Sequence, residues 1–164
     1  MLPQQKDVPA DATAVIIAGP TSDLLPEELE ALKRYLAKAG KLMVLVDPAI
    51  VASKTPELPN IQALLKDWAI ELGNNVVVDI SGATNEPSIA VAASYPQHPI
   101  TDRFATLTVY PLARSVEPVT GGVNGHTAAP IVQTSQRSWA ESDLATLTSA
   151  KGVAMEPEKG DKAG

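Results

Sequence analysis

The chain has 164 residues, 45% of them hydrophobic and 20% charged, which suits one soluble globular domain with a substantial core. Thirteen basic against nineteen acidic residues leave a net charge of −6, so no nucleic-acid partner is expected and an anionic membrane surface is disfavoured. The absence of cysteine excludes disulfides, thiolate catalysis and Cys-ligated metals.

The opening MLPQQKDVPAD lacks the apolar core of a signal peptide, and residues 1–12 read as a leader segment. No apolar run approaches the roughly 20 residues needed to span a bilayer. A strand is predicted from Thr13 to Ala18. Its apolar side chains do not alternate with polar ones, the pattern of a strand covered on both faces. Pro26 opens an amphipathic helix, with Glu27, Glu28 and Glu30 near the positive end of its dipole. Leu29, Leu32, Tyr35 and Leu36 form its apolar stripe, and Lys38 and Gly40 close it. Leu42 to Val46 is a second strand, ending in Asp47-Pro48. Strand, helix and strand make a β-α-β unit, which implies parallel pairing and a right-handed crossover.

Ala49 to Leu58 is a loop. Asn60 can cap a second helix, Ile61 to Leu72, with Ile61, Leu64, Leu65, Trp68 and Leu72 inward and Gly73 as its stop. Val76 to Ile80 is a third strand, followed by a flexible Ser81–Asn85 loop. Beyond it the pattern is less regular. Ile89 to Ala93, Thr106 to Tyr110 and Arg114 to Val116 look extended, and a Pro-flanked turn around His98 leads to a short helical piece near Phe104. Thr120 to Thr127 carries three glycines and reads as a connector. Pro130 to Gln133 is a late strand, and Ser142 to Thr148 is unassigned. Residues 13–150 are expected to form a single α/β domain and residues 151–164 a disordered tail. Both ends look cut, as in a piece excised from a longer protein.

Several segments together carry a resemblance. They are Val8-Pro9, IIAGP, PEELEALKRYLAKAGKLMVLVDP, LPNIQALLKDWAIELGNNVVVD, HPIT, ARSVEP and QTSQRSWAESDL. In this order, from Val8 to Leu144, the chain resembles the extracytoplasmic auxiliary domain of ABC-type transport systems, the GldG-like gliding-motility group. That domain is similar to one in a eukaryotic intraflagellar transport protein. The resemblance implies a three-layer α/β sandwich with a mainly parallel sheet, like flavodoxins or class I glutamine amidotransferases but without the Cys-His pair of the latter. It also implies a membrane-anchored protein with this domain outside the cytoplasm, periplasmic or at the cell surface, working beside an ABC permease and ATPase or another membrane protein. Members often place a Ser or Thr cap before the Pro-Glu-Glu start, where this chain has Leu25.

In a parallel α/β sheet, ligands bind beyond the carboxyl ends of the strands. The residues expected there are Thr21 and Ser22, Asp47, Asp79 and Ser81 with Thr84, and Thr134 and Ser135 with Arg137 and Ser138. Two acids among hydroxyls suit a sugar, a peptide or a hard cation. Equally, Asp47 can set an Asp-Pro turn and Asp79 can order a loop. Trp139 either covers the core edge or offers an aromatic contact to a partner.

The first turn is G-P-T-S-D-L. It has neither G-x-G-x-x-G nor G-K-[ST], and Pro20 removes an amide that a phosphate would use, so no nucleotide cofactor is expected. A receiver-type phosphoacceptor site would need acids where Gly19-Pro20 stands. There is no G-x-S-x-G elbow, and His98 and His126 are the only histidines, so a Ser triad has a weak basis. His98 with Asp102 offers only two metal ligands. The expected function is a non-catalytic auxiliary domain that binds a partner subunit or a small ligand. The alternatives are a cryptic glycan or peptide hydrolase and a stand-alone sugar- or peptide-binding module.

Overall fold

The computed structural model describes residues 6–48, 57–92, 94–147 and 154–163. The first three elements are the expected β-α-β unit: β1 (Val15–Ala18), α1 (Pro26–Ala37) and β2 (Leu42–Leu45). β1 and β2 pair in parallel, from Val15 opposite Leu42 to Ala18 opposite Leu45. Proline occupies the first turn of α1, and the Glu28 carboxylate accepts the Leu25 N–H at 3.0 Å. Leu25 has no side-chain acceptor, so only the Glu28 half of a capping box forms. At the far end Ala39 takes a left-handed conformation (φ 61°). Gly40 is demanded by space instead, because a Cβ there would run into the Tyr35 ring.

The second helix, α2 (Pro59–Asp67), is shorter than its apolar stripe suggests. Ala69 (φ 61°) turns the chain out of the helix, and Ile70–Leu72 becomes the strand β3. No side chain of its own caps α2. The Asp23 carboxylate, from the loop after β1, accepts the N–H groups of Asn60 (2.7 Å) and Ile61 (3.2 Å). The Asn60 side chain donates to the Leu24 carbonyl and ties the same two segments together.

Both helices lie on one face of the β1–β2 pair. Leu32, Leu36 and Leu64 pack against Val15, Ile17 and Leu42, while Leu58, Ile61 and Leu65 pack against Ile17 and Val44. The opposite face is bare. Ile16, Met43 and Leu45 are 62%, 53% and 47% exposed, with Ile16 directly opposite Met43 in the ladder.

The rest of the chain corrects the expected architecture. β3 pairs antiparallel with β7 (Val116–Pro118), and β4 (Val76–Asp79) pairs antiparallel with β8 (Ser138–Glu141). β8 also carries β9 (Lys162–Ala163), and β5 (Ile89–Ala92) pairs antiparallel with β6 (Thr108–Pro111). Among the described residues there is therefore one parallel pair and three small antiparallel sheets. The flavodoxin-like or amidotransferase-like three-layer sandwich with a mainly parallel sheet does not form. The reason lies in the connections. Each further parallel strand needs a crossover of a dozen or more residues, usually a helix. After Asp79 the strands of the described chain are joined by Gly- and Pro-punctuated loops, and its helical pieces are one turn each, α3 (Leu144–Leu147) and a 3-10 turn at Pro157–Lys159.

The late strand also moves. Within Pro130–Gln133 only Gln133 makes a bridge, to Ser94, and the ladder begins at Ser138. Most of the Ala49–Leu58 loop, and Ala93, lie outside the described residues. In the segment expected to be a tail, Pro157–Lys159 forms a 3-10 turn and Lys162–Ala163 joins β8. Asp161 anchors it by accepting the Ser142 and Glu156 N–H groups at 3.0 and 2.8 Å.

Candidate functional site

Two separate groups hold the residues singled out in the sequence. The first forms around Asp79 at the end of β4. Asp79 as a residue is 3% exposed. Oδ1 accepts the Ser81 N–H (2.8 Å) and the Ser135 hydroxyl (2.9 Å), and Oδ2 accepts the Val91 N–H (3.1 Å). Burial pushes its pKa upward, but these hydrogen bonds, with one from the Ser81 side chain, outweigh burial and hold the pKa below the ordinary value. Asp79 therefore stays ionised and joins three segments: the loop after β4, β5 and the loop before β8.

The neighbouring hydroxyls are satisfied locally. Thr134 and Ser138 share a 2.7 Å hydrogen bond, and the Ser138 hydroxyl donates to the Ser135 carbonyl at 2.7 Å. Trp139 stands in β8 opposite Val78 and is buried, with its indole N–H donating to Glu141 at 3.2 Å. Glu141 is buried too and accepts the Asp143 N–H. Sequence reasoning missed this carboxylate, because a Glu inside a strand reads as solvated unless a partner is known. Thr84 donates its hydroxyl to the Glu86 carbonyl, which keeps it within its own loop.

The second group lies at the carboxyl end of the parallel pair. Thr21 and Ser22 are exposed in the turn after β1, and Asp47 is exposed after β2. The Asp47 carbonyl accepts the Arg114 guanidinium at 3.2 Å, and Arg114 also donates from Nε to the Gly73 carbonyl at 2.8 Å. Burial lowers the pKa of Arg114, which ties the end of β2 to the turn between β3 and β4. No local signal in the sequence marks Arg114, since both of its acceptors are backbone carbonyls far away in the chain.

The histidines join neither group. His98 accepts the Ile100 N–H on Nδ1, and His126 stacks on Trp68 with ring centroids 4.0 Å apart and planes 22° from parallel. Asp102 faces Arg103 at 3.8 Å on the surface. The partners of the Ser135 hydroxyl are Asp79 and the Arg137 N–H, so the Ser–Asp contact has no histidine in it. Among the described residues no three His, Asp or Glu side chains are gathered as a metal site, and no helix is long and apolar enough to cross a membrane. The Asp79 arrangement thus orders loops around a fixed charge, whereas the Thr21, Ser22 and Asp47 edge and the bare β1–β2 face are open to contact.

Among solved structures, the one titled "mmIFT52 N-terminal domain" aligns with a TM-score of 0.60 and 22% identity, over 84% of this chain and 59% of that one. At that identity the likeness is one of fold, and the chain spans 59% of the length of that structure. Comparison with curated proteins finds no match. The family model described as "ABC-type uncharacterized transport system" matches residues 1–163. With essentially its whole length matched, the chain belongs to this auxiliary family of ABC-type transport systems.

Proposed function

We propose that the chain is a non-catalytic, extracytoplasmic docking domain that holds a membrane subunit of its ABC transport system against the bare face of β1–β2. The observation that carries this is the exposure of Ile16, Met43 and Leu45 on a pair of strands whose sequence is apolar on both sides. Covered strands read as near-continuous apolar runs. Here the helices cover one side, so the composition of the other suits a second protein surface. Thr21, Ser22 and Asp47 form a polar rim at the same end of the pair, where hydrogen bonds to a permease loop would set orientation and the apolar centre would supply most of the affinity.

The test is co-purification of the complete transporter carrying Ile16→Asp or Leu45→Asp. Both positions are solvent-facing in this domain, so its own thermal unfolding should stay within a few degrees of the parent. Loss of the auxiliary protein from the complex is expected, with weaker effects from Thr21→Ala, Ser22→Ala and Asp47→Ala. An intact complex with both aspartate variants would overturn the proposal.

A further inference from the structure

On the other side of the same strands the core is not closed. Among the described residues β2 pairs with β1 alone and β3 with β7 alone, so no ladder joins β2 to β3. Between them runs a cleft of about 330 Å³. Leu42 and Val44 line it from β2, Ile70 and Leu72 from β3, Trp68 from the end of α2 and Val116 from β7. Every side chain that lines it is apolar, apart from the single N–H of Trp68. Leu42, Val44, Ile70 and Leu72 point into the interior yet are only partly buried, and Val116 at the cleft is 58% exposed. The stacked His126 ring braces Trp68 from the glycine-rich Thr120–Thr127 segment, which keeps the indole in place as a wall.

We infer that this cleft is a binding site for an uncharged, hydrocarbon-rich small molecule taken up free from solution. Size and lining set the class. A well-packed interior leaves few voids larger than a water molecule, whereas ligand pockets start at roughly 300 Å³ and are mostly apolar. The cleft is about twice the ~150 Å³ apolar cavity that stays dry and admits benzene, so it takes about a dozen non-hydrogen atoms. A helix, about 10 Å across with its side chains, is too large for it. A charged ligand would lose its hydration and meet no counter-charge, because no ionisable side chain lines the cleft among the described residues. The occupant is a medium-length alkyl chain or a small fused aromatic, held by dispersion and by release of water from the walls.

1-Aminonaphthalene, an uncharged two-ring fluorophore whose emission shifts to the blue in apolar surroundings, is the probe. Titrated into the 164-residue chain it should bind saturably at one site, and 1-decanol should displace it. Val44→Phe fills the cleft and should weaken binding at least tenfold. Ile16→Ser, on the opposite face of the same two strands, should leave binding unchanged. Far-UV circular dichroism checks that Val44→Phe folds. If it does not, Val116→Trp carries the test, since this exposed position can block the mouth without disturbing the core. Val116 also borders a neighbouring groove, so Val132→Trp in that groove is its control and should have no effect. Non-saturable uptake, failure of 1-decanol to compete, binding indifferent to a folded Val44→Phe or to Val116→Trp, or loss of binding in Ile16→Ser or Val132→Trp would each overturn the assignment.

Discussion

Replacing Asp79 with alanine tests the internal site most directly. The carboxylate satisfies the Ser81 N–H, the Val91 N–H and the Ser135 hydroxyl. The hydroxyl can rotate toward another acceptor, but the two backbone donors cannot. A buried donor left without an acceptor costs about 1–3 kcal/mol, so the pair sets a loss of about 2–6 kcal/mol. At about 2–4 °C per kcal/mol for a domain of this size, the midpoint of thermal unfolding should fall by about 4–24 °C at pH 7. The effect must also depend on pH. The native pKa of Asp79 is lowered, so its contribution is complete above the unfolded value near 4 and is lost as pH falls through the native value below it. The stability gap between parent and Asp79→Ala should therefore narrow between pH 4 and pH 2.5. Urea unfolding followed by Trp fluorescence at each pH measures this gap. A gap under about 1 kcal/mol at pH 7, or one unchanged down to pH 2.5, would refute the reading of Asp79 as an ionised staple.

Two further substitutions probe how the β-α-β half is held. Gly40→Ala should cost about 1–3 kcal/mol through overpacking against the Tyr35 ring, and the same change in a Tyr35→Ala background should cost almost nothing, as read from urea midpoints. Asp23→Ala removes the acceptor of two N–H groups at the start of α2 and should destabilise by about 0.5–2 kcal/mol, with Asp23→Ser recovering part of the loss in the same assay.

The local half of the fold is legible in the sequence, and the non-local half is not. The β1-α1-β2 unit follows from a 3.6-residue apolar period set between two strands, and its parallel register needs no distant partner. The rule that a continuous apolar run marks a strand inside a parallel sheet misleads in both directions here. β1 and β2 are parallel but bare on one face, whereas Val76–Asp79 is buried throughout and its partner runs antiparallel. Hydrophobicity reports burial, and strand direction depends on connections that composition does not reveal. The end of α2 is ambiguous in the sequence because Leu72 continues the helical stripe while Ile70 and Leu72 also fit a strand.

The site shows the same division. In the sequence Asp79, Ser81, Thr134 and Ser135 read as residues at the carboxyl ends of parallel strands. They do meet, but by another route: the end of β4 lies against the start of β8 because the two run in opposite directions. Asp23 and Arg114 left no such trace, since each acts on backbone groups far away in the chain.

The C-terminal strand β9 has a consequence for how the molecule meets its neighbours. It lies on the outside of the β4–β8–β9 sheet and pairs with Trp139 and Ala140 of β8, a strand buried along its whole length. An unpaired β8 would offer a row of free N–H and C=O groups to any passing chain. β9 pairs with part of that row, at Trp139 and Ala140, and carries Lys162, whose ammonium group lies 3.4 Å from Glu117 and must stay hydrated. A lysine on an outer strand is one of the devices by which sheet proteins limit strand addition. A further strand laid along this flank would have to strip water from that ammonium group, which disfavours edge-to-edge association at Lys162.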